Sequence, residues 1–215
     1  MSISEFPLQS AVRAEDWANV HDELLHGLVH TANNRIAALG GIVQLQENDL
    51  MEADEALTQL RDEVARLRAL MLKFRAMTVR RAPSREPVRL GDVLQGTVDV
   101  LAHHAVARNW TITLTEEAGD VPPVNLWAAD HLRFGVLLLL AAGAGTAKGE
   151  YFVTFAAPAA SAEVTVTAQN SAEVISASAE FEALSRAATS EGGALRCERV
   201  SDTHADLVLS LPGLA

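Results

Sequence analysis

Two series of apolar residues at helical spacing dominate the first third of the chain. Leu25, Leu28, Ala32, Ile36, Leu39 and Val43 recur every three or four residues. This spacing predicts an amphipathic helix from Ala14 to about Gln46, broken by the polar Glu47-Asn48-Asp49. The second series, Leu57, Leu60, Val64, Leu67, Met71 and Phe74, alternates steps of three and four, as the a and d positions of a coiled coil do. Arg61, Asp62, Glu63, Arg66 and Arg68 fill the outer face of that second helix. One apolar stripe per helix makes a thin core, whereas two such hairpins together make a full one. A homodimeric four-helix bundle is therefore expected. The alternative is that the stripes pack on the remainder of the same chain.

The pattern changes after the basic, proline-bounded run Arg80-Arg81-Ala82-Pro83-Ser84-Arg85-Glu86-Pro87, which reads as a linker. Beyond it a helix is expected from Gly91 to about Arg108, then an alternating strand over Trp110 to Thr115. A helix follows from about Ala128 to Ala144, then strands at Tyr151 to Ala156 and Ala162 to Ala168. A short helix within Ser176 to Thr189 precedes a closing pair of strands, Ala194 to Val200 and Ala205 to Leu211. The expected fold class is α+β with two domains: a helical hairpin, then an α/β sandwich with helices on one face of a mixed sheet. The boundaries are a tail over 1–13, the hairpin over 14–79, the linker over 80–87 and the sandwich over 88–215.

Composition narrows the class. Hydrophobic residues make up 49% of the 215, and no apolar run approaches the ~20 residues of a membrane span. The start of the chain lacks the basic-then-apolar pattern of a secretory signal, so a soluble cytoplasmic protein is expected. The single cysteine, Cys197, allows no internal disulfide. The net charge of −11 is concentrated beyond residue 82, where eight Lys/Arg face sixteen Asp/Glu. Nucleic acid and anionic membranes are poor partners for such a surface.

The candidate chemistry lies in the first helix. At about 100° per residue His30 falls opposite Leu28, so its imidazole should face water, with Asn34 one turn further along the same face. A neutral imidazole is a competent nucleophile, and an amide one turn away can orient a phosphoryl group or a water. His26 stands four residues before His30, a spacing that can hold zinc, but no acidic residue completes a site and no metal is expected. His103-His104 should place one ring in the core and one in solvent, without a role. Trp17 and Trp127 read as core anchors.

An exposed histidine in a helical hairpin, a linker and this α/β order resemble the catalytic half of a bacterial sensor histidine kinase. His30-Thr31-Ala32-Asn33-Asn34-Arg35-Ile36 is similar to the family's phospho-accepting box, and Pro87-Val88-Arg89-Leu90-Gly91-Asp92-Val93-Leu94 to the opening of its ATP-binding domain. Glu191-Gly192-Gly193-Ala194-Leu195, ending in Leu209-Ser210-Leu211-Pro212, is similar to that domain's last hairpin. The departures matter equally. Where the family carries asparagines that hold Mg²⁺ and phosphate, this chain has Leu138 and Ala142. The adenine-binding Asp and its glycines are missing from Val166 to Glu173, the lid glycines are missing from Ser176 to Glu180, and Thr31 replaces the acid beside His30.

The resemblance thus implies a kinase-like dimer that lacks ATP-dependent autophosphorylation. His30 would exchange a phosphoryl group with the aspartate of a response-regulator receiver, assisted by Asn34. No intrinsic cofactor is expected, the receiver supplying its own Mg²⁺. The other reading is a non-enzymatic pseudokinase that regulates a receiver or a kinase by binding it, and dephosphorylation of the receiver through Asn34 is compatible with either reading.

Overall fold

Helices α1 (Ala14–Glu47) and α2 (Ala53–Thr78) form the expected hairpin. The computed structural model of the protein describes residues 10–78, 84–115 and 121–214. The predicted tail up to residue 9 and the linker's Arg80 to Pro83 therefore lie outside the described residues. Glu15 and Asp16 in the first turn of α1, and Asp54 and Glu55 in that of α2, complement the positive helix ends. The turn between the helices places Asp49 at φ 56°, a left-handed conformation that aspartate tolerates.

Burial along the hairpin follows the predicted periodicity with a shift. Leu24, Leu28 and Ile42 of α1 and Ala56 and Leu70 of α2 are buried, while Leu25, Ala32, Leu39, Leu60, Leu67 and Phe74 are half-buried. Leu24, one residue before the expected start of the stripe, is fully covered, as is Leu28. Apolar side chains at seven-residue steps remain exposed: Val29, Ile36 and Val43 on α1, and Leu57, Val64 and Met71 on α2. The beginning of α1 has another partner. Val12, Trp17, Val20 and Leu24 belong to the same apolar core as the sheet unit, so for this stretch the alternative of packing on the same chain is what occurs.

The sheet unit contains β1 (Arg85–Val88), α3 (Leu90–Leu101), β2 (Trp110–Leu114), β3 (Val124–Trp127), α4 (His131–Ala142), β4 (Gly149–Ala156), β5 (Ser161–Ala168), α5 (Ala172–Ser176), α6 (Ala179–Ser190), β6 (Ala194–Arg199) and β7 (Ala205–Pro212). Five strands pair in the order β2-β4-β5-β7-β6; β2 and β4 are parallel and the other pairs antiparallel. On β5 the residues Ala162, Val164, Val166 and Ala168 are buried while their neighbours face outward, as a period of two requires. Helix α4 is almost wholly buried beneath α3 and α6, which explains its uniformly apolar Val136 to Ala142.

Three elements differ from the sequence reading. The helix expected to reach Arg108 stops at Leu101, because the chain turns at His103 and His104 into a short 3-10 turn, Ala107–Asn109. The linker's end is a strand: β1 pairs antiparallel with β3, Arg85 opposite Trp127 and Val88 opposite Val124. Arg85 also lies 4.7 Å above the Trp127 ring and forms an ion pair with Glu191 at 2.8 Å. Finally, α5 is an extra helical turn whose N-cap, Ser171, accepts from the Val174 N–H, as Ser178 accepts from Phe181 for α6.

The end of α4 is closely fitted. A Cβ on Gly143 would stand 2.2 Å from the Trp110 ring, whose indole N–H donates to the Thr146 carbonyl at 3.2 Å. Gly143→Ala is expected to lower stability by about 1–3 kcal/mol through overpacking, read as a reduced urea midpoint with an unchanged slope. An unchanged midpoint would show that this joint yields freely.

Candidate functional site

His30 is exposed near the middle of α1, where the helical spacing puts it. Asn34, also exposed, brings its amide Nδ2 to 3.3 Å from the imidazole Nε2. An amide NH₂ can only donate, so Nε2 is the acceptor and Nδ1 carries the ring proton. The pair therefore presents a nucleophilic nitrogen with a donor beside it. Sequence spacing alone brought these two residues together, and the structure places them within hydrogen-bonding distance.

The helix beneath the pair is braced to α2. Arg35 reaches both carboxylate oxygens of Glu63 at 3.2 Å, and Arg66 reaches one of them at 2.5 Å. Burial opposes the charge on Glu63, yet the hydrogen bonds from Arg66 and Arg35 outweigh it and hold the carboxyl below its ordinary range. Glu63 was expected on an outer face. Its side chain is instead turned between the helices, tying α2 to α1 at Arg35, the residue after Asn34.

On the other side of His30, Thr31 turns toward the sheet unit. Its hydroxyl donates to the Gly27 carbonyl at 2.9 Å and lies 3.2 Å from Nδ1 of His103. The other ring nitrogen of His103 is 3.2 Å from the Lys73 ammonium, which also donates to the Asp99 carbonyl at 2.9 Å. His104 is buried, with Nδ1 accepting from the Val106 and Ala107 N–H groups and Nε2 only 2.7 Å from Glu23. Both histidines thus join the two units, where the sequence reading gave them no role and put one ring in solvent. A pair of adjacent histidines after an apolar helix carries no signal for this, because their partners lie 30 to 81 residues away.

The tail's last residues are also engaged. The buried Asp130 accepts from the Ala11 N–H at 2.6 Å and from the Ser10 hydroxyl at 2.5 Å, with Arg133 at 3.6 Å. Burial raises the Asp130 pKa, and these hydrogen bonds offset part of the rise. Arg133 lies 5.6 Å from the Trp17 ring and Asp16 pairs with Arg186 at 2.9 Å, so the root of α1 is held by apolar, polar and charged contacts alike.

Leu138 and Ala142 are buried in α4, and α4 packs against α6, whose Ala183, Leu184, Ala187 and Ala188 are buried as well. These side chains offer no ligand to a hard cation or a phosphate. Beyond α4, Asn170 donates to the Ala144 carbonyl at 2.6 Å while its own carbonyl accepts from the Ser171 N–H, drawing the segment after β5 onto the end of the helix. The residues in these places do not fit Mg²⁺ and a nucleotide triphosphate.

No family model matches the chain, and no curated protein is significantly similar to it. Solved structures are similar. The histidine kinase AdeS of Acinetobacter baumannii is 11% identical with a TM-score of 0.50, the match covering 86% of this chain and 98% of that one. A histidine kinase from Burkholderia phymatum STM815 is 16% identical with a TM-score of 0.50, covering 86% of this chain and 99% of that one. The protein therefore has a histidine-kinase-like fold: long N-terminal helices followed by a sheet unit resembling the kinase ATPase domain. No helix among the described residues is long and apolar enough to cross a membrane.

Proposed function

We propose that this chain is a histidine phosphotransferase of a two-component relay. His30 takes a phosphoryl group from, or returns it to, the aspartate of a response-regulator receiver, without autophosphorylation from ATP. The observation that carries the reading is the exposed His30, with Asn34 at its Nε2, on α1 of a histidine-kinase-like fold. The buried apolar contact of α4 with α6, where a nucleotide's ligands would be needed, supports the absence of ATP chemistry.

Transfer needs little beyond position. The Nε2 lone pair forms a bond to phosphorus as the bond from phosphorus to the aspartyl oxygen breaks, and the carboxylate leaves as an anion. The His30 Nδ1 keeps its proton through this step. Asn34 relinquishes the nitrogen and donates instead to a phosphoryl oxygen, where negative charge must be held. Mg²⁺ belongs to the receiver in this reading and neutralises the phosphoryl oxygens there.

The exposed heptad rows on α1 and α2 support a homodimer, in which a second hairpin covers them. The test is to incubate the purified chain with phosphorylated receiver domains and, separately, with Mg-ATP. Acid-labile label from a receiver and none from ATP is the expected result. Label from ATP alone would overturn the proposal, as would binding of receivers without transfer, which would leave regulation by occupancy as the function.

A further inference from the structure

The contact between α1 and the sheet unit beside His30 is built from groups that respond to protons, whatever His30 is used for. Lys73 bears an ammonium and can only donate, so the His103 Nε2 at 3.2 Å must accept and be unprotonated. The Nδ1 proton then points to the Thr31 hydroxyl at 3.2 Å, whose own proton goes to the Gly27 carbonyl. A neutral His103 is thus a two-ended bridge from the segment after α3 to both helices of the hairpin. We propose that this bridge is an acid-labile clamp: neutral His103 holds residues 102–109 against α1 and α2, and protonation of its ring releases that segment.

Protonation turns the Nε2 acceptor into a donor facing a cation. One hydrogen bond is lost and two positive charges are left 3.2 Å apart. Burial and the Lys73 charge push the His103 pKa below its ordinary value of 6.5, and Asp99 pulls weakly the other way. The charged groups that act on the ring are Lys73 from α2 and Asp99 from α3, and α1 meets it with the uncharged Thr31. The Glu23–His104 pair lies one residue along the same segment. The open form binds a proton more readily than the clamped form. The clamp is therefore at full strength above pH 6.5 and weakens as the pH falls below it, by at most about tenfold per pH unit for one linked proton.

The backbone makes a second, independent requirement. A Cβ on Gly27 would sit 1.7 Å from the His103 carbonyl oxygen, so only glycine lets α1 lie this close. Gly41, in the same helix, has open space where its Cβ would be. Release is local, because Val12, Trp17, Val20 and Leu24 remain in the sheet unit's core.

Amide hydrogen exchange on the full chain, expressed as protection relative to intrinsic rates, tests the clamp between about pH 8 and about pH 5.5. In the wild type, protection over residues 102–109 should fall below pH 6.5 by up to about tenfold per unit. His103→Gln, whose amide can accept from Lys73 but takes no proton, should lose that slope. Gly27→Ala should lose the protection at every pH, and Gly41→Ala should keep it. A flat wild-type profile, an unaltered slope in His103→Gln, or equal protection in the two glycine variants would each overturn the proposal. Should His103→Gln not fold, the nitrogen shifts of the wild-type His103 ring decide, since its titration must track the loss of protection. None of these readouts uses phosphoryl transfer, so failure of the relay reading and failure of the clamp are separable.

Discussion

Replacing His30 with alanine is expected to abolish phosphoryl acceptance, a loss of at least about 10³-fold, equivalent to roughly 4 kcal/mol on the transfer barrier. The fold should survive unchanged. The His30 side chain is exposed and its hydrogen bond in the structure runs to the equally exposed Asn34, so neither a cavity nor a buried unpaired group results. Alanine is also the better helix former, and stability should move by no more than about 0.5 kcal/mol. His26 sits one turn earlier and is also exposed, which makes His26→Ala the matched control: it removes an imidazole from the same helix and should leave transfer intact. Acid-labile label on wild type and His26→Ala, and none on His30→Ala, is the expected pattern from a phosphorylated receiver. Equal labelling of His30→Ala would remove His30 from the chemistry altogether.

Asn34→Ala separates the amide's part in transfer from the imidazole's. It deletes the donor at Nε2 without touching the imidazole, so transfer should persist at a reduced rate. The rate should fall by about tenfold, the worth of one hydrogen bond to a charged oxygen. Stopped-time labelling of the variant beside wild type measures it, and a complete loss would promote Asn34 from assisting donor to indispensable group.

The position of this pair was legible because it follows from local geometry alone: an apolar residue fixes a face, and 100° per residue places everything else. Strand positions were legible for the same reason, as the alternation of β5 shows. What escaped was contact between distant parts of the chain. Trp17, Val20, Leu24 and Leu28 recur at steps of three, four and four, a signal present in the sequence, but it marks a helix serving two partners. Its first turns face the sheet unit and its later turns face α2, so a reading that assumed one partner began the stripe at Leu25. The early end of α3 depended on His104 accepting backbone N–H groups and meeting Glu23, neither of which any local pattern encodes. Glu63 illustrates the converse. A carboxylate in a charged run reads as solvated, and only its two arginine partners make its burial tolerable.

The exposed heptad rows lead to the second large effect. Ile36→Glu combined with Val64→Glu is expected to convert a dimer of twice 23.0 kDa into a monomer, raising the dissociation constant by at least about 10³-fold. Ile36 is 56% exposed and Val64 46% exposed in the single chain, so glutamate at either place is solvated in the monomer and suits a helix at least as well. The penalty arises only when a second hairpin would bury both carboxylates, and symmetry repeats each one in the interface. Light scattering gives the mass directly, and circular dichroism should report unchanged helix content. Wild type should show the complementary behaviour, a melting temperature that rises with protein concentration, whereas the variant's should not. A variant that keeps the doubled mass, or a wild type that is monomeric at micromolar concentration, would mean that these rows serve something other than a second copy. The distinction reaches the site itself: the row begins at Val29, the residue before His30, so whatever covers it also sets how much of α1 a receiver can approach.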